Sequence, residues 1–464
     1  MSSEWASLTI GDLVREGEAT VQTGPFGSQL HSHDYVASGT PVIPTEAIGR
    51  GRILDIDVPR VDAAKASELS RHRLRVGDIL FARRGAQATG LSAIVDERFE
   101  GALCGTGALL LRLQSPRIDP QYLAMFLSSE TAYSWLRTHA VGAVMPNLNT
   151  AIIQALPVSL PGIHEQQRIA GFIGALDDRI TLLRETNATL EAIAHALFKS
   201  WFVDFDPVRA KMEDRTPEGM DEATAALFPD GFETSELGEV PRGWRESTLG
   251  ELIELTKGCS YKGDGLSEAE GAYMFNLGCF NAHRVFASEK VKRYTGEYKP
   301  RHSVQAGDLI IANTDMTQAR DILGRPAFVP IGFDPGFISH HVYKVTVRPE
   351  WQEKARAIRS LLFFALQESA FRERAIGFAT GTTVLALPAT AVLGSPALIP
   401  TADLLDVFDG AVQPIFEAIS INEQRVTTLA ETRDTLLPRL ISGQLRLPKA
   451  QAATEAALGA ALQA

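Results

Sequence analysis

Trp5-Ala6-Ser7-Leu8-Thr9-Ile10-Gly11-Asp12-Leu13 returns as Trp244-Arg245-Glu246-Ser247-Thr248-Leu249-Gly250-Glu251-Leu252, an offset of 239 residues (244 minus 5). The same offset recurs far downstream, at Gly142/Gly381, Pro157/Pro396, Pro161/Pro400, Leu190/Leu429 and Leu197/Leu436. A period of this length exceeds any solenoid unit. It describes two domains of one kind, each followed by one linking element of one kind. Two similar heads on one spacer suit a target that itself has two separated parts.

Within each repeat the first part reads as mixed α and β. Gly77-Asp78-Ile79-Leu80-Phe81-Ala82 matches Gly307-Asp308-Leu309-Ile310-Ile311-Ala312. Short apolar runs follow: Leu91–Val95 and Leu109–Leu113 in one copy, Ala327–Val329 and Val342–Val347 in the other. Glycines and prolines bracket them, which predicts strands joined by turns. Asp119-Pro120 then predicts a helix start, with Asp as N-cap and Pro at the first helical position. Tyr122, Leu123, Phe126, Leu127, Tyr133 and Leu136 supply its apolar stripe, and Leu361, Leu362, Ala365 and Phe371 form its counterpart.

The linking elements carry the plainest periodicity. Ile169, Ile173, Leu176, Ile180, Leu183, Asn187, Leu190, Ala194, Leu197 and Trp201 alternate steps of four and three. Adding the offset gives Phe408, Val412, Ile415, Ile419, Asn422, Val426, Leu429, Arg433, Leu436 and Leu440. A heptad seam sustained this long is that of a coiled coil. Each seam holds one asparagine, which either fixes register or sits at a partly exposed site. Pro414 predicts a start or a kink early in the second seam. Each helix needs a partner, and the nearest is the other copy. A helix of about 33 residues is about 50 Å long, and a connector of about 40 residues favours antiparallel helices. The expected fold class is therefore α+β: two globular domains separated by an antiparallel coiled coil of two long helices, with a pseudo-twofold internal repeat. The expected divisions are 1–160, a first spacer helix over 161–205, a connector over 206–243, a second domain over 244–400, a second spacer helix over 401–447, and an Ala-rich tail over 448–464 that is a frayed helix or disordered.

The 464 residues leave ample room for a core. At 45% hydrophobic and 22% charged, the composition is that of an ordinary globular protein. No apolar run of membrane-spanning length or basic-then-apolar leader occurs, which gives a cytoplasmic expectation. Cys104, Cys259 and Cys279 are scattered, so buried free thiols are expected rather than disulfides or zinc. His31, His33, His340 and His341 lack cysteine or acidic ligands at suitable spacing, so no metal is expected there. The net charge of −11 speaks weakly against a nucleic-acid partner, but charge is segregated. Basic clusters occur in both repeats: Arg71, Arg73, Arg75, Arg83 and Arg84 in the first; Arg284, Lys290, Lys292, Arg293, Lys299 and Arg301 in the second. Either cluster alone reads as a solvated face; one in each repeat favours phosphate contact.

Leu197-Phe198-Lys199-Ser200-Trp201-Phe202-Val203-Asp204-Phe205-Asp206-Pro207 resembles the central region of specificity subunits of type I restriction-modification systems. Pro161-Gly162-Ile163-His164-Glu165-Gln166-Gln167-Arg168-Ile169-Ala170 is similar to that family's lead-in to its first long helix. Leu436–Gly443 is similar to its exit from the second. The stretches 77–84 and 307–315 resemble a motif of its target-recognition domains. The resemblance runs to about residue 447. It departs where 403–414 replaces the Glu-Gln-Gln lead-in. It implies a subunit without catalysis or cofactor that binds a bipartite double-stranded DNA site, one half per domain. Such a subunit recruits two methyltransferase subunits and ATP-driven translocase-nuclease subunits, and the whole is a restriction endonuclease and adenine methyltransferase. Independently, the chain lacks the G-x-x-x-x-G-K-[ST], NPP[FY], H-E-x-x-H and G-x-S-x-G motifs.

Arg and Lys neutralise phosphates, while Arg reads guanine and Asn or Gln reads adenine at base edges. The candidate DNA-binding residues are Arg71, Arg73, Arg75, Arg83, Arg84 and Gln87, then Lys292, Arg293, Asn313, Thr314, Thr317, Gln318 and Arg320; for each, turn chemistry or surface polarity is the competing reading. Phe198, Trp201, Phe202 and Phe205 read either as a local core or, by the resemblance, as a docking patch for the methyltransferase. Two rivals stand beside this reading: a duplicated enzyme with unrecognised motifs, and a two-headed protein scaffold without DNA recognition.

Overall fold

The computed structural model describes residues 5–85, 88–142, 146–281, 286–317, 320–382 and 384–461. The chain forms two compact units, Met1–Arg179 with Leu429–Ala460 and Ile180–Thr428 with Ala461–Ala464. Each contains one globular repeat and a stretch of both long helices.

The duplication survives at the level of strand register. In the first unit Ala6–Thr9 pairs antiparallel with Pro157–Leu160, Ala6 opposite Leu160. In the second, Arg245–Thr248 pairs with Pro396–Ile399, Arg245 opposite Ile399. Both partners have moved by the 239 residues read from the sequence. The strand Ala108–Leu113 lies between Ala19–Thr23 and Ile79–Ala82, and Val342–Val347 lies between Ile253–Lys257 and Leu309–Ala312. A second small sheet in each repeat contains one parallel pair, Val42 opposite Leu103 and Met274 opposite Phe337. Parallel neighbours cannot be joined by a hairpin, so this pairing is invisible to short-range sequence reading.

The turn before the Ile79–Ala82 strand explains the repeated Gly-Asp. Gly77 and Gly307 adopt φ of 88° and 81°, a region open to glycine at no steric cost. The aspartates beside them are buried. Asp78 Oδ2 accepts from the Arg75 N–H at 2.8 Å, and Arg112 grips both its oxygens at 2.8 and 2.6 Å. Asp308 accepts from the Gln305 N–H and pairs with Lys344, both at 3.1 Å. Each aspartate closes the turn and finds a cation on the neighbouring strand.

The helix begun by Asp119-Pro120 runs Pro120–Leu127, capped by Asp119 Oδ1 accepting from the Tyr122 N–H at 2.8 Å. It does not continue through Leu136 as one helix. Ser129 caps a separate helix, Glu130–His139. Its hydroxyl competes for backbone donors and favours a cap over a helix interior.

The long helices span Ile163–Phe202 and Ala402–Ile441. Their seam residues are buried apart from partly exposed Leu190, Leu197, Ile415 and Arg433. Arg433 pairs with Asp177, which offsets its burial. In the second unit Asn187 meets Asn422, while Phe198 meets Phe408. The index rises on one helix as it falls on the other, so these segments run antiparallel, as expected. Pro414 neither starts nor ends the second helix. It lies exposed, and Gly410, whose carbonyl loses its donor there, is also exposed, so water replaces the missing bond.

The two repeats tie their long helices to their globular parts differently. Buried Gln166 donates to the carbonyls of Pro161 and Arg117 at 2.8 and 3.0 Å and accepts from the Asp119 N–H at 3.0 Å. That is the structural use of the Glu-Gln-Gln lead-in. In the second copy Asp409 takes over, accepting from Arg356 at 2.6 Å, Ser360 at 2.7 Å and Gln413 at 3.0 Å.

Of the two readings of the Ala-rich tail, frayed helix or disorder, the structure has the helix, Leu447–Ala461. Leu447, Ala450 and Thr454 are buried at helical spacing, and alanine is the best helix former. The cysteines are free; burial pushes the Cys104 and Cys279 thiols up to about 12, and Cys259 is half-buried. No helix among the described residues is long and apolar enough to cross a membrane.

Candidate nucleic-acid interface

In the first repeat the chain leaving Ile79–Ala82 runs into Arg83 and Arg84, where it meets a distant loop. Arg84 bridges to Asn147, and Asn147 bridges back to Val141. Arg83 Nε donates to Asn147 Oδ1 at 2.9 Å, and the Leu148 N–H donates to Arg83 O at 2.9 Å. Arg84 is exposed at the edge of a hollow of about 290 Å³ shared with Tyr35, Thr45, Glu46, Gly105 and Gly107. The walls there are close: a Cβ on Gly107 would meet Thr45 Oγ1 at 2.1 Å, and one on Gly105 would meet the Ile43 carbonyl at 2.4 Å.

The second repeat builds the same junction from other residues. Thr314-Asp315 pairs antiparallel with Leu385-Ala386, and Thr380 bridges to Ala386. Fully buried Asp315 organises the turn, accepting from the N–H and hydroxyl of Thr317 at 2.7 Å and from the Ile322 N–H at 3.0 Å. Arg372 pins the far side, donating to the carbonyls of Leu323, Arg320 and Asp321 at 2.6, 2.9 and 3.0 Å. Exposed Arg320 holds φ of 58°, and Met316 and Phe378 are exposed.

The candidate residues fall into distinct settings. Arg71, Arg73, Arg75, Arg84, Lys292, Thr317 and Arg320 are exposed. Arg71 Nε donates to the ring of buried His72 at 2.9 Å, and Arg301 does the same to buried His302 at 3.0 Å. This duplicated Arg-His pair escaped the sequence reading, although it stands at the same distance before each Gly-Asp. Arg293 lies 3.5 Å over the Tyr273 ring and donates to its hydroxyl at 2.6 Å. Asn313 and Thr314 are buried: the Asn313 amide donates to His340 O at 3.2 Å, and the Thr314 hydroxyl meets His341 Nδ1 at 2.8 Å. These bonds and their burial turn both side chains toward the domain, unlike the exposed candidates. Gln87, Gln318 and Arg284 lie outside the described residues.

Asn147, Arg372, Val141 and Met316 were missed. Their signal was indirect: Gly142 and Gly381, matched at the repeat offset, both take left-handed φ, 117° and 103°, and mark the second loop of each junction.

The aromatic set at the end of the first long helix is core. Phe198 stacks 5.5 Å from Phe364, Trp201 meets Phe228 at 5.3 Å, Phe202 meets Phe408 at 4.8 Å, and Phe205 meets Trp244 at 5.7 Å. Phe198 and Trp201 are buried and Phe202 and Phe205 half-buried. The connector folds onto them through Val208 and Phe228, and Trp244, the first residue of the second repeat, joins the same cluster. A docking patch made of Phe198 and Trp201 would require this core to open.

Residues 69–192 match the family model of the type I restriction modification DNA specificity domain. The chain is 24% identical to the HindI specificity subunit of Haemophilus influenzae, over 96% of this chain and 100% of that one. It is 25% identical to the MjaIX specificity subunit of Methanocaldococcus jannaschii, over 70% of this chain and 69% of that one. Among solved structures, a type I restriction-modification S subunit from M. genitalium aligns with a TM-score of 0.54 at 16% identity, over 94% of this chain and 96% of that one, a likeness of fold. The family resemblance and fold class read from the sequence are borne out.

Proposed function

We propose that this relative of type I restriction-modification specificity subunits reads a bipartite double-stranded DNA site, one half with each globular repeat, and recruits methyltransferase and translocase-nuclease subunits to it. The observation that carries this reading is the duplicated loop junction, Arg83-Arg84 with Val141, Asn147 and Leu148 and Thr314-Asp315 with Thr380, Leu385 and Ala386. Each follows the strand of the Gly-Asp motif, and each presents a fixed backbone with cationic and polar side chains at its rim. Phosphate contacts position a protein and base-edge contacts specify sequence. Exposed Arg71, Arg73, Arg75, Arg84, Lys292 and Arg320 suit the first role, and Arg83 with Thr317 the second. Arg83 and Arg293, each already held by a protein group, present the rest of their guanidinium forks in fixed orientation.

The chain itself does no chemistry in this reading and holds no cofactor; methyl transfer and cleavage belong to its partners, in the cytoplasm. The docking surface for the methyltransferase excludes Phe198 and Trp201. The test is to tag the chain in its native host, purify it at moderate salt and identify what accompanies it. Recovery of a methyltransferase subunit in excess over the chain supports the reading. A chain that comes alone and does not retain DNA contradicts it and favours a protein scaffold.

A further inference from the structure

We propose that His31, His33 and Asp34 on the first globular repeat form a site for a first-row divalent transition metal, with Zn2+ as the probe. His33 and Asp34 sit on one 3-10 turn, Ser32–Asp34, and His31 is the extended residue just before it. The Asp34 N–H donates to His31 O at 3.1 Å, and the His31 N–H donates to Asp34 Oδ2 at 2.7 Å. This reciprocal pair holds the carboxylate between the two rings. His31 Nδ1 is 3.7 Å from Asp34 Oδ2, and His33 Nε2 is 3.9 Å from Asp34 Oδ1. One ligand atom from each residue lies within 4.8 Å of the other two. The rings are stacked, 5.0 Å between centroids at 11°.

Metal–ligand bonds of about 2.0–2.2 Å place the corners of a tetrahedron roughly 3.4 Å apart. The two histidine–carboxylate separations, 3.7 and 3.9 Å to different oxygens of Asp34, are a few tenths of an ångström wider, and all three ligand atoms lie within 4.8 Å. The His31 and His33 side chains are 48% and 77% exposed, so both rings can rotate out of their stacked arrangement toward a shared ion without disturbing a core. Two imidazoles and one carboxylate select zinc, nickel or copper over magnesium and calcium, which take oxygen donors. Three protein ligands leave a position open for water or an anion.

Lys65 bears on the strength of the site. Its ammonium lies 3.4 Å from Asp34 Oδ1 and 2.9 Å from Glu68 Oε2. It competes with a metal for Asp34, yet keeps a carboxylate of its own when Asp34 turns to the ion. Removing that competing charge therefore strengthens metal binding.

The experiment uses the full-length chain without a polyhistidine tag, stripped with chelator and titrated calorimetrically with Zn2+. One equivalent per chain is expected. His33→Ala and Asp34→Asn each weaken binding by more than about a hundredfold, beyond the roughly 10–100-fold loss typical of outer-shell changes, while Lys65→Gln tightens it. His340→Gln, in the half-buried His340-His341 pair of the other repeat, leaves it unchanged. Circular dichroism melts confirm that the variants fold, His33 being on the surface. Binding well below one equivalent (an adventitious ion only), insensitivity to His33→Ala, weaker binding in Lys65→Gln, or loss of the site in His340→Gln would overturn the proposal.

Discussion

Asn422 donates its Nδ2 to Asn187 Oδ1 at 2.8 Å, from facing turns of the two long helices, with only 8% and 6% of the residues exposed. Asn187 in turn donates to Glu423 Oε1 at 3.1 Å, and Glu423 accepts from the Ser288 hydroxyl at 3.0 Å. The pair has a meaning that follows from the repeat. The residue matching Asn422 in the first seam is Leu183, and the residue matching Asn187 in the second is Val426. A seam pairing with its own copy would set asparagine against an aliphatic residue and leave a buried amide unsatisfied, so the polar pair favours one seam joining the other.

Replacing either asparagine by leucine is expected to destabilise by about 1–3 kcal/mol, the cost of an orphaned buried polar group. Asn187→Leu should cost more than Asn422→Leu, because it also strips a donor from Glu423. The double variant should recover part of the loss, since two facing leucines need no partners. Urea unfolding of the three variants checks this; strictly additive losses would mean the two amides do not interact.

Acid should weaken the fold through its buried histidines. Burial, and after it the charge of the adjacent arginine, lowers the His72 and His302 pKa below the ordinary 6.5. Burial likewise lowers His340 and His341. These rings fold neutral, so on acidification the unfolded chain takes up protons first. Their contribution is full above about pH 6.5 and declines as pH falls through the lowered folded values. Thermal melts between pH 7.5 and pH 5 should show this fall, and a His72→Gln, His302→Gln double variant should show a shallower one. An unchanged slope in that variant would assign acid sensitivity elsewhere.

The two Gly-Asp turns differ in their reserves. Asp78→Asn removes the carboxylate that Arg112 grips with two hydrogen bonds, at an expected cost of roughly 3 kcal/mol for breaking a mostly buried pair. Asp308→Asn should cost less, because Lys344 meets its carboxylate once, at 3.1 Å, where Arg112 makes two shorter bonds, and each cation keeps one backbone carbonyl, Ser303 O or Arg73 O, at 2.8 Å. Denaturant titration of the two variants orders them; the reverse order would contradict the account of these turns.

Arg83 and Arg84 stand side by side yet are expected to behave differently toward DNA. Arg83→Ala should cost about 1–3 kcal/mol on the cognate duplex and relax the choice of one base. Arg84→Ala should cost affinity on every duplex that fills the hollow, and a purely electrostatic role would lower the salt slope by about one. Fluorescence anisotropy on cognate and altered duplexes at several salt concentrations separates them. Equal loss for Arg83→Ala on all sequences would make it a phosphate contact.

The repeat, the strands after Gly77-Asp78 and Gly307-Asp308, and both helical seams were legible because each is a local pattern or a fixed offset. The break at Ser129 was not, because an apolar stripe runs through it while a single hydroxyl decides the cap. Pro414 does not start the second helix, which runs Ala402–Ile441 through it, because its place on the exposed face depends on the packing of the whole helix. The loop junctions were half legible. Arg83 and Arg84 follow a recognisable strand, but the bridges Arg84–Asn147 and Thr314–Ala386 close over long stretches of chain that no periodicity announces. Asn313 and Arg320 look alike as polar loop residues, and only the fold shows one buried and the other exposed.

The most direct measurement is the methylated-base map of the native genome with the gene intact and deleted. The account predicts one bipartite adenine-methylated sequence, two short half-sites with a fixed gap, that disappears on deletion and returns when the gene is restored. A methylation pattern that is identical with and without the chain, in cells shown to express it, would contradict the central claim.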